Sequence, residues 1–241
     1  MIDIKDLTCT FNAQTILQNI NLNIQSHLCI LGANGSGKST LAKAICGLME
    51  QDGEVSINAT DIKEFSLIQK AKLISYIPAK LEIYDSFISV EEFVLLGRFA
   101  YKRSFFEYSD KDKDIAQETL EFLKISHLKE HAVCSLSSGE QQLSLIAQAL
   151  TQQSQVMIFD EPTANLDPHN TKIIAQYIKG LKERHQVILI THDLHLASYF
   201  DADVAFIKNK TLTLYTQNFF NDATLSELYD VKFKGLVAQY D

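Results

Sequence analysis

The chain has 241 residues, 46% hydrophobic and 22% charged, which suits a globular protein of one large or two small domains and excludes disordered, collagen-like and disulfide-dense classes. Lys+Arg 22 against Asp+Glu 30 leaves a net charge of −8, a poor match to a phosphodiester backbone, so no nucleic-acid partner is expected. No apolar run reaches the ~18 residues that span a bilayer, the start Met1-Ile2-Asp3-Ile4-Lys5-Asp6 lacks the layout of a signal peptide, and Cys9, Cys29, Cys46 and Cys134, with no Cys-x-x-Cys pair, read as reduced, buried thiols.

Residues 2–11 and 20–24 read as strands with partial alternation. A short apolar run, 27–31, ends at a glycine loop, and 39–48 reads as a helix. Strands at 54–57 and 73–77 flank a helical piece around 65–71. From about 84 to 150 the pattern is helical, with segments at 90–98, 111–123 and 139–150. Strand 156–159, helix 170–183, strand 186–190 and a strand pair at 204–207 and 212–215 complete the chain. Strands alternating with helices predict an α/β fold with a parallel-sheet core. The middle is then a helical insertion: a single domain over 1–241, with its core at about 1–83 and 151–241 and a helical subdomain at about 84–150.

Gly32-Ala33-Asn34-Gly35-Ser36-Gly37-Lys38-Ser39 fits G-x-x-x-x-G-K-[ST] and lies after a buried strand and before a helix, where a phosphate-binding loop must lie. Glycines let consecutive N–H groups converge on phosphate oxygens, and the following helix adds its positive end. The expected nucleotide-binding residues are Asn34, Gly35, Ser36, Gly37, Lys38, Ser39 and Thr40, with the Lys38 ammonium on the β- and γ-phosphates and the Ser39 hydroxyl on Mg²⁺. Val156-Met157-Ile158-Phe159 runs into Asp160-Glu161, and a buried parallel strand delivers these carboxylates to the edge that carries the phosphate loop. Asp160 is expected to hold Mg²⁺ and Glu161 to orient or deprotonate the attacking water.

With these elements in place, Leu136-Ser137-Ser138-Gly139-Glu140 resembles the signature motif of the ATP-binding subunits of ABC (ATP-binding cassette) transporters, with Ser138 where glycine is commonest and Glu140 where glutamine is frequent. The resemblance covers nearly the whole chain. It implies a RecA-like P-loop NTPase fold with an antiparallel β subdomain beside the parallel core. It also implies that ATP and Mg²⁺ are the ligands, and that the working unit is a head-to-tail dimer in which Ser137, Ser138, Gly139 and Glu140 of one copy cover the γ-phosphate held by its twin. As local chemistry, Ser137 or Ser138 can also cap the helix that begins near Gly139. Asn165-Leu166-Asp167 resembles the loop that touches the partner copy, with Asp167 in the binding set. Thr191-His192-Asp193 resembles the segment whose histidine contacts the γ-phosphate, so Glu161 and His192 are the implied catalytic pair. Phe11 resembles the aromatic residue that stacks on adenine, with core packing as its alternative.

One position departs from the family. Ala79, after Ile77-Pro78, replaces a glutamine that ordinarily reaches Mg²⁺ and water, and a neighbour such as Glu82 or water would have to complete the coordination. Leu96-Gly97-Arg98 and Ala223-Thr224-Leu225-Ser226-Glu227-Leu228-Tyr229-Asp230-Val231 are similar to the ATPases of iron–siderophore, haem and cobalamin importers; zinc and manganese importer ATPases share parts of this pattern. The implied partners are transmembrane permease subunits and, indirectly, a substrate-binding protein. The implied location is the cytoplasmic face of the cell membrane. A soluble ABC clamp on a non-membrane partner, or a catalytically poor regulatory cassette, are the other classes.

Two clusters mimic metal sites. Asp110-Lys111-Asp112-Lys113-Asp114 with Glu121 looks like part of a calcium loop but has Ile115 where the turn glycine belongs, so Ser109 capping an acidic first turn is the better account. His127 and His131 have zinc-like spacing without a third ligand nearby.

Overall fold

The computed structural model describes residues 1–81, 85–102 and 107–235. In chain order, β1 (Ile2–Phe11) and β2 (Gln14–Ile24) precede β3 (Leu28–Gly32) and α1 (Lys38–Ile45), and β4 (Asp52–Ile57), β5 (Thr60–Asp61), α2 (Leu67–Leu73) and β6 (Ile74–Ile77) follow. Then come α3 (Val90–Leu95), α4 (Asp110–Phe122) and α5 (Ser138–Thr151). The chain continues through β7 (Val156–Asp160), α6 (Pro168–Leu181), β8 (Gln186–Ile190), α7 (Leu194–Phe200), β9 (Asp203–Lys208), β10 (Thr211–Tyr215) and α8 (Asp222–Tyr229).

The strands form two sheets. A four-stranded antiparallel sheet has the order β2-β1-β4-β5, and a six-stranded sheet has the order β10-β9-β3-β8-β7-β6, with only β10 antiparallel. The central strands carry unbroken apolar runs because both faces are covered, and their alternation sorts side chains between two cores. Met157, Phe159, Val187 and Leu189 face a core shared with α3 to α8, while Val156, Ile158, Ile188 and Ile190 face one shared with α1 and the antiparallel sheet. This is the α/β P-loop architecture with an antiparallel sheet beside a parallel core.

Several elements differ from the sequence reading. β2 starts at Gln14, not near residue 20: the β1–β2 hairpin turns through Asn12 and Ala13 at φ 48° and 62°, and this turn lacks the glycine that usually signals it. α3 stops at Leu95 and gives way to a 3₁₀ stretch, Leu96–Tyr101. α7 and α8 lie where no helix was predicted; both are short, and side chains of Asp193 and Asn221 cap them. Ser109 does cap α4, in a reciprocal box with Asp112, so the calcium-like run is a helix start.

Three thiols are buried as expected, and Cys134 is not. Burial pushes Cys9 up to about 11, aided by Asp52, and Cys46 up to about 12, and it drives Cys29 higher still. Cys134 is exposed in a polar turn, its Sγ donating to Ser86 O at 3.0 Å. Ellman's reagent should therefore react fast with one thiol of the native protein and with all four after denaturation; two or more fast native thiols would contradict this packing.

Candidate functional site

The phosphate loop occupies the C-terminal edge of the parallel sheet, between the end of β3 at Gly32 and the start of α1 at Lys38. Gly37 takes φ 105° there and lies so close to β2 that a Cβ would sit 2.8 Å from Leu17 Cδ2, so only glycine fits. No side chain caps α1, which leaves its first N–H groups for an anion. The buried Lys38 Nζ donates to Gly32 O at 3.0 Å and Ala33 O at 3.2 Å. Asn34, Gly35 and Ser39 are exposed and Thr40 is half-buried; Ser36 Oγ is buried and has no hydrogen-bond partner among the described residues.

The ends of β3, β7 and β8, which are adjacent in the sheet order β3-β8-β7, bring three predicted side chains together. Glu161 leaves β7 in a left-handed conformation, φ 50°, fixed by its N–H donating to Ile190 O at 2.8 Å. Its Oε1 lies 3.7 Å from Lys38 Nζ, and its Oε2 lies 2.8 Å from His192 Nδ1 while accepting the His192 backbone N–H at 3.3 Å. Asp160 is buried, with Oδ2 accepting the Tyr76 hydroxyl at 2.7 Å and Oδ1 unpartnered among the described residues. Burial, reinforced by this bond, pushes the Tyr76 hydroxyl well above its ordinary range. Tyr76 was not anticipated. The only sequence signal for it is a hydroxyl, shared with Ser75 beside it, in a largely apolar run two residues before Pro78.

The signature-like residues form a second group. Ser137, not Ser138, caps α5, and its Oγ and N–H both donate to Glu140 Oε2, at 2.6 and 2.9 Å. These two bonds hold the Glu140 carboxyl below the usual range, so this side chain serves its own helix end. Gly139 is pressed against Asn170: a Cβ would lie 2.5 Å from Asn170 Cγ. Asn170 Nδ2 in turn donates to Asp167 Oδ2 at 2.6 Å, while Asp167 Oδ1 accepts the His169 and Asn170 N–H groups and caps α6. Asn170, also unanticipated, thus links the signature segment to the Asp167 loop within one chain.

Phe11 is 67% exposed at the tip of the β1–β2 hairpin, which excludes the core-packing alternative. The same hairpin reaches the phosphate loop through Ile16 and Leu17. Ala79 is half-buried and apolar, and Glu82 lies outside the described residues. A cleft of about 1170 Å³ lies elsewhere, walled by α4, α5 and α6; Glu140 is the one predicted site residue in its wall.

The ABC transporter family profile matches residues 17–164. The chain is 33% identical to the "Probable iron chelatin transport ATP-binding protein" of Helicobacter pylori, across 98% of this chain and 95% of that protein. It is 34% identical to the manganese transport system ATP-binding protein MntB of Halalkalibacterium halodurans, across 77% and 73%. Among solved structures, a dimeric ATP-binding cassette in a post-hydrolysis state with ADP and Pi superposes with a TM-score of 0.80 at 25% identity, covering 91% of this chain and 100% of that one. With a phosphate loop, an acidic strand end and a histidine converging on one sheet edge, and with this likeness along nearly its whole length, the chain belongs to the ABC transporter family as an ATP-binding, ATP-hydrolysing cassette.

Proposed function

We propose that this cassette powers an importer of an iron chelate, working as a head-to-tail pair beneath separate permease subunits on the cytoplasmic face of the membrane. The catalytic part of the reading rests on one observation, the Lys38–Glu161–His192 chain of contacts at the phosphate loop. The loop amides and Lys38 would hold the triphosphate, and exposed Phe11 would stack on adenine. Glu161 takes a proton from water as the water oxygen attacks the γ-phosphorus; the bond to the β-bridging oxygen breaks, and ADP and phosphate leave. His192 keeps the Glu161 carboxylate aimed and offers a donor toward the γ-phosphate.

Mg²⁺ fits this site. The buried Asp160 Oδ1 lacks a protein partner and the exposed Ser39 hydroxyl stands on the first turn of α1, a hard oxygen donor set. When bound, the ion would neutralise charge on the β- and γ-phosphates. Asn34, Gly35 and Ser39 are open to solvent, so the γ-phosphate needs a second surface; Ser137 to Gly139 of a twin, positioned by the α5 cap, supply one.

A permease partner is supported by exposed Leu67 and Ile68 on α2 beside exposed Leu96 and Phe99, with Lys72 of α2 lying 4.6 Å above the Tyr101 ring to join the two elements. No helix among the described residues is long and apolar enough to cross a membrane, so the pore would come from other chains. The cargo is argued from the iron chelatin relative, and the manganese relative keeps a second reading alive. Deleting the coding frame should abolish uptake of radiolabelled ferric siderophore while leaving manganese uptake intact, with recovery by the native chain but not by Glu161→Gln. Loss of manganese uptake instead would transfer the assignment to that cargo.

A further inference from the structure

We propose that the Tyr76 hydroxyl is a positioning group for the hydrolysis site: it anchors one oxygen of Asp160 so that the other is presented to Mg²⁺. The inference rests on the reading of Asp160 as the metal-facing carboxylate.

β6 is the edge strand of the parallel sheet and pairs in register with β7, Tyr76 opposite Ile158. Asp160 stands two residues further along β7, within reach of the Tyr76 ring, and the hydroxyl closes on Asp160 Oδ2 at 2.7 Å. A hydrogen bond to a carboxylate is among the stronger ones, and it removes the torsional freedom that would let the two oxygens exchange places. The remaining oxygen, Oδ1, is buried and has no partner among the described residues. A buried carboxylate oxygen left bare is costly unless a cation or its hydration shell meets it. Outer-sphere donors of this kind orient ligating carboxylates in metal sites generally. Ala79, three residues beyond Tyr76, carries no polar group, so the hydroxyl is what this strand end contributes.

The test compares the native protein, Tyr76→Phe and Asp160→Asn. Each is titrated with Mg²⁺ at fixed ATP, and binding of a non-hydrolysable ATP analogue is measured by calorimetry with Mg²⁺ and with EDTA. Tyr76→Phe should raise the Mg²⁺ concentration for half-maximal ATPase about tenfold, with turnover recovering at high Mg²⁺. Its binding of the analogue in EDTA should stay within about twofold. If the hydroxyl only props up the fold, the variant will melt earlier and bind more weakly to the same degree with and without Mg²⁺, and the unmoved Mg²⁺ midpoint overturns the proposal. Should the phenylalanine variant fail to fold, Tyr76→Leu, which likewise has no donor to offer Asp160, replaces it and must show the same direction of shift. Asp160→Asn separates the two levels of argument. If it abolishes the Mg²⁺ enhancement of binding while Tyr76→Phe leaves the midpoint unmoved, only the role of Tyr76 falls. If Asp160→Asn keeps the native midpoint, the underlying reading of Asp160 falls with it.

Discussion

Glu161→Gln is expected to lower ATPase turnover by roughly 10³-fold, the scale of a lost general base. The amide matches the carboxylate in shape but cannot take the proton of the attacking water. It also removes an anion that lies 3.7 Å from Lys38 Nζ and competes with the γ-phosphate for that ammonium. ATP should therefore bind at least as well, and the product-forming step that lets the pair reopen is blocked. The variant should elute as a dimer with ATP and Mg²⁺ and as a monomer with ADP, read by light scattering behind size exclusion. Turnover within tenfold of the native protein would remove Glu161 from the role of base. A monomer at saturating ATP and Mg²⁺ would count against the shared-site dimer.

The largest effect on stability is expected at Arg98. The side chain is 3% exposed; Nε pairs with Asp112 Oδ1 at 2.8 Å, while one terminal nitrogen donates to Thr151 O at 2.7 Å and Gln153 Oε1 at 3.0 Å. The guanidinium carbon also lies 3.8 Å from the Tyr101 ring centroid. One residue thus ties the 3₁₀ stretch after α3 to the start of α4 and the end of α5. Arg98→Ala would leave Asp112 as an uncompensated buried charge and the Thr151 carbonyl without this donor. The expected cost is about 3–5 kcal/mol, seen as a fall in Tm on the order of 10 °C. A cost below about 1 kcal/mol in urea titration would mean that water enters to replace the guanidinium. The sequence offers Arg98 only through a resemblance to importer ATPases; in the structure it is a brace of the helical region.

Local chemistry made much of the molecule legible. Strands buried on both faces carry unbroken apolar runs, so β3, β7 and β8 stand out without any partner being known. Serines followed three residues later by Gln, Glu or Asp announce the starts of α2, α3, α4 and α5, because the capping box is a contact within four residues. The phosphate loop is legible for the same reason: its function requires a turn that only that run of glycines can make.

By itself, then, the sequence determined the α/β class, the loop, and the residues proposed to carry the chemistry, all read from patterns that short-range sterics and hydrogen bonding impose. Only the tertiary structure decided which of these residues meet. Lys38, Glu161 and His192 follow the ends of three strands far apart in sequence, β3, β7 and β8, and converge because parallel strands end on one edge. Tyr76 finds Asp160, and Asn170 finds Gly139, through strand register and helix docking. Such pairings depend on the whole sheet being assembled, so no local pattern encodes them. The exposure of Phe11 and Cys134 was settled in the same way, by what else the folded chain placed above them.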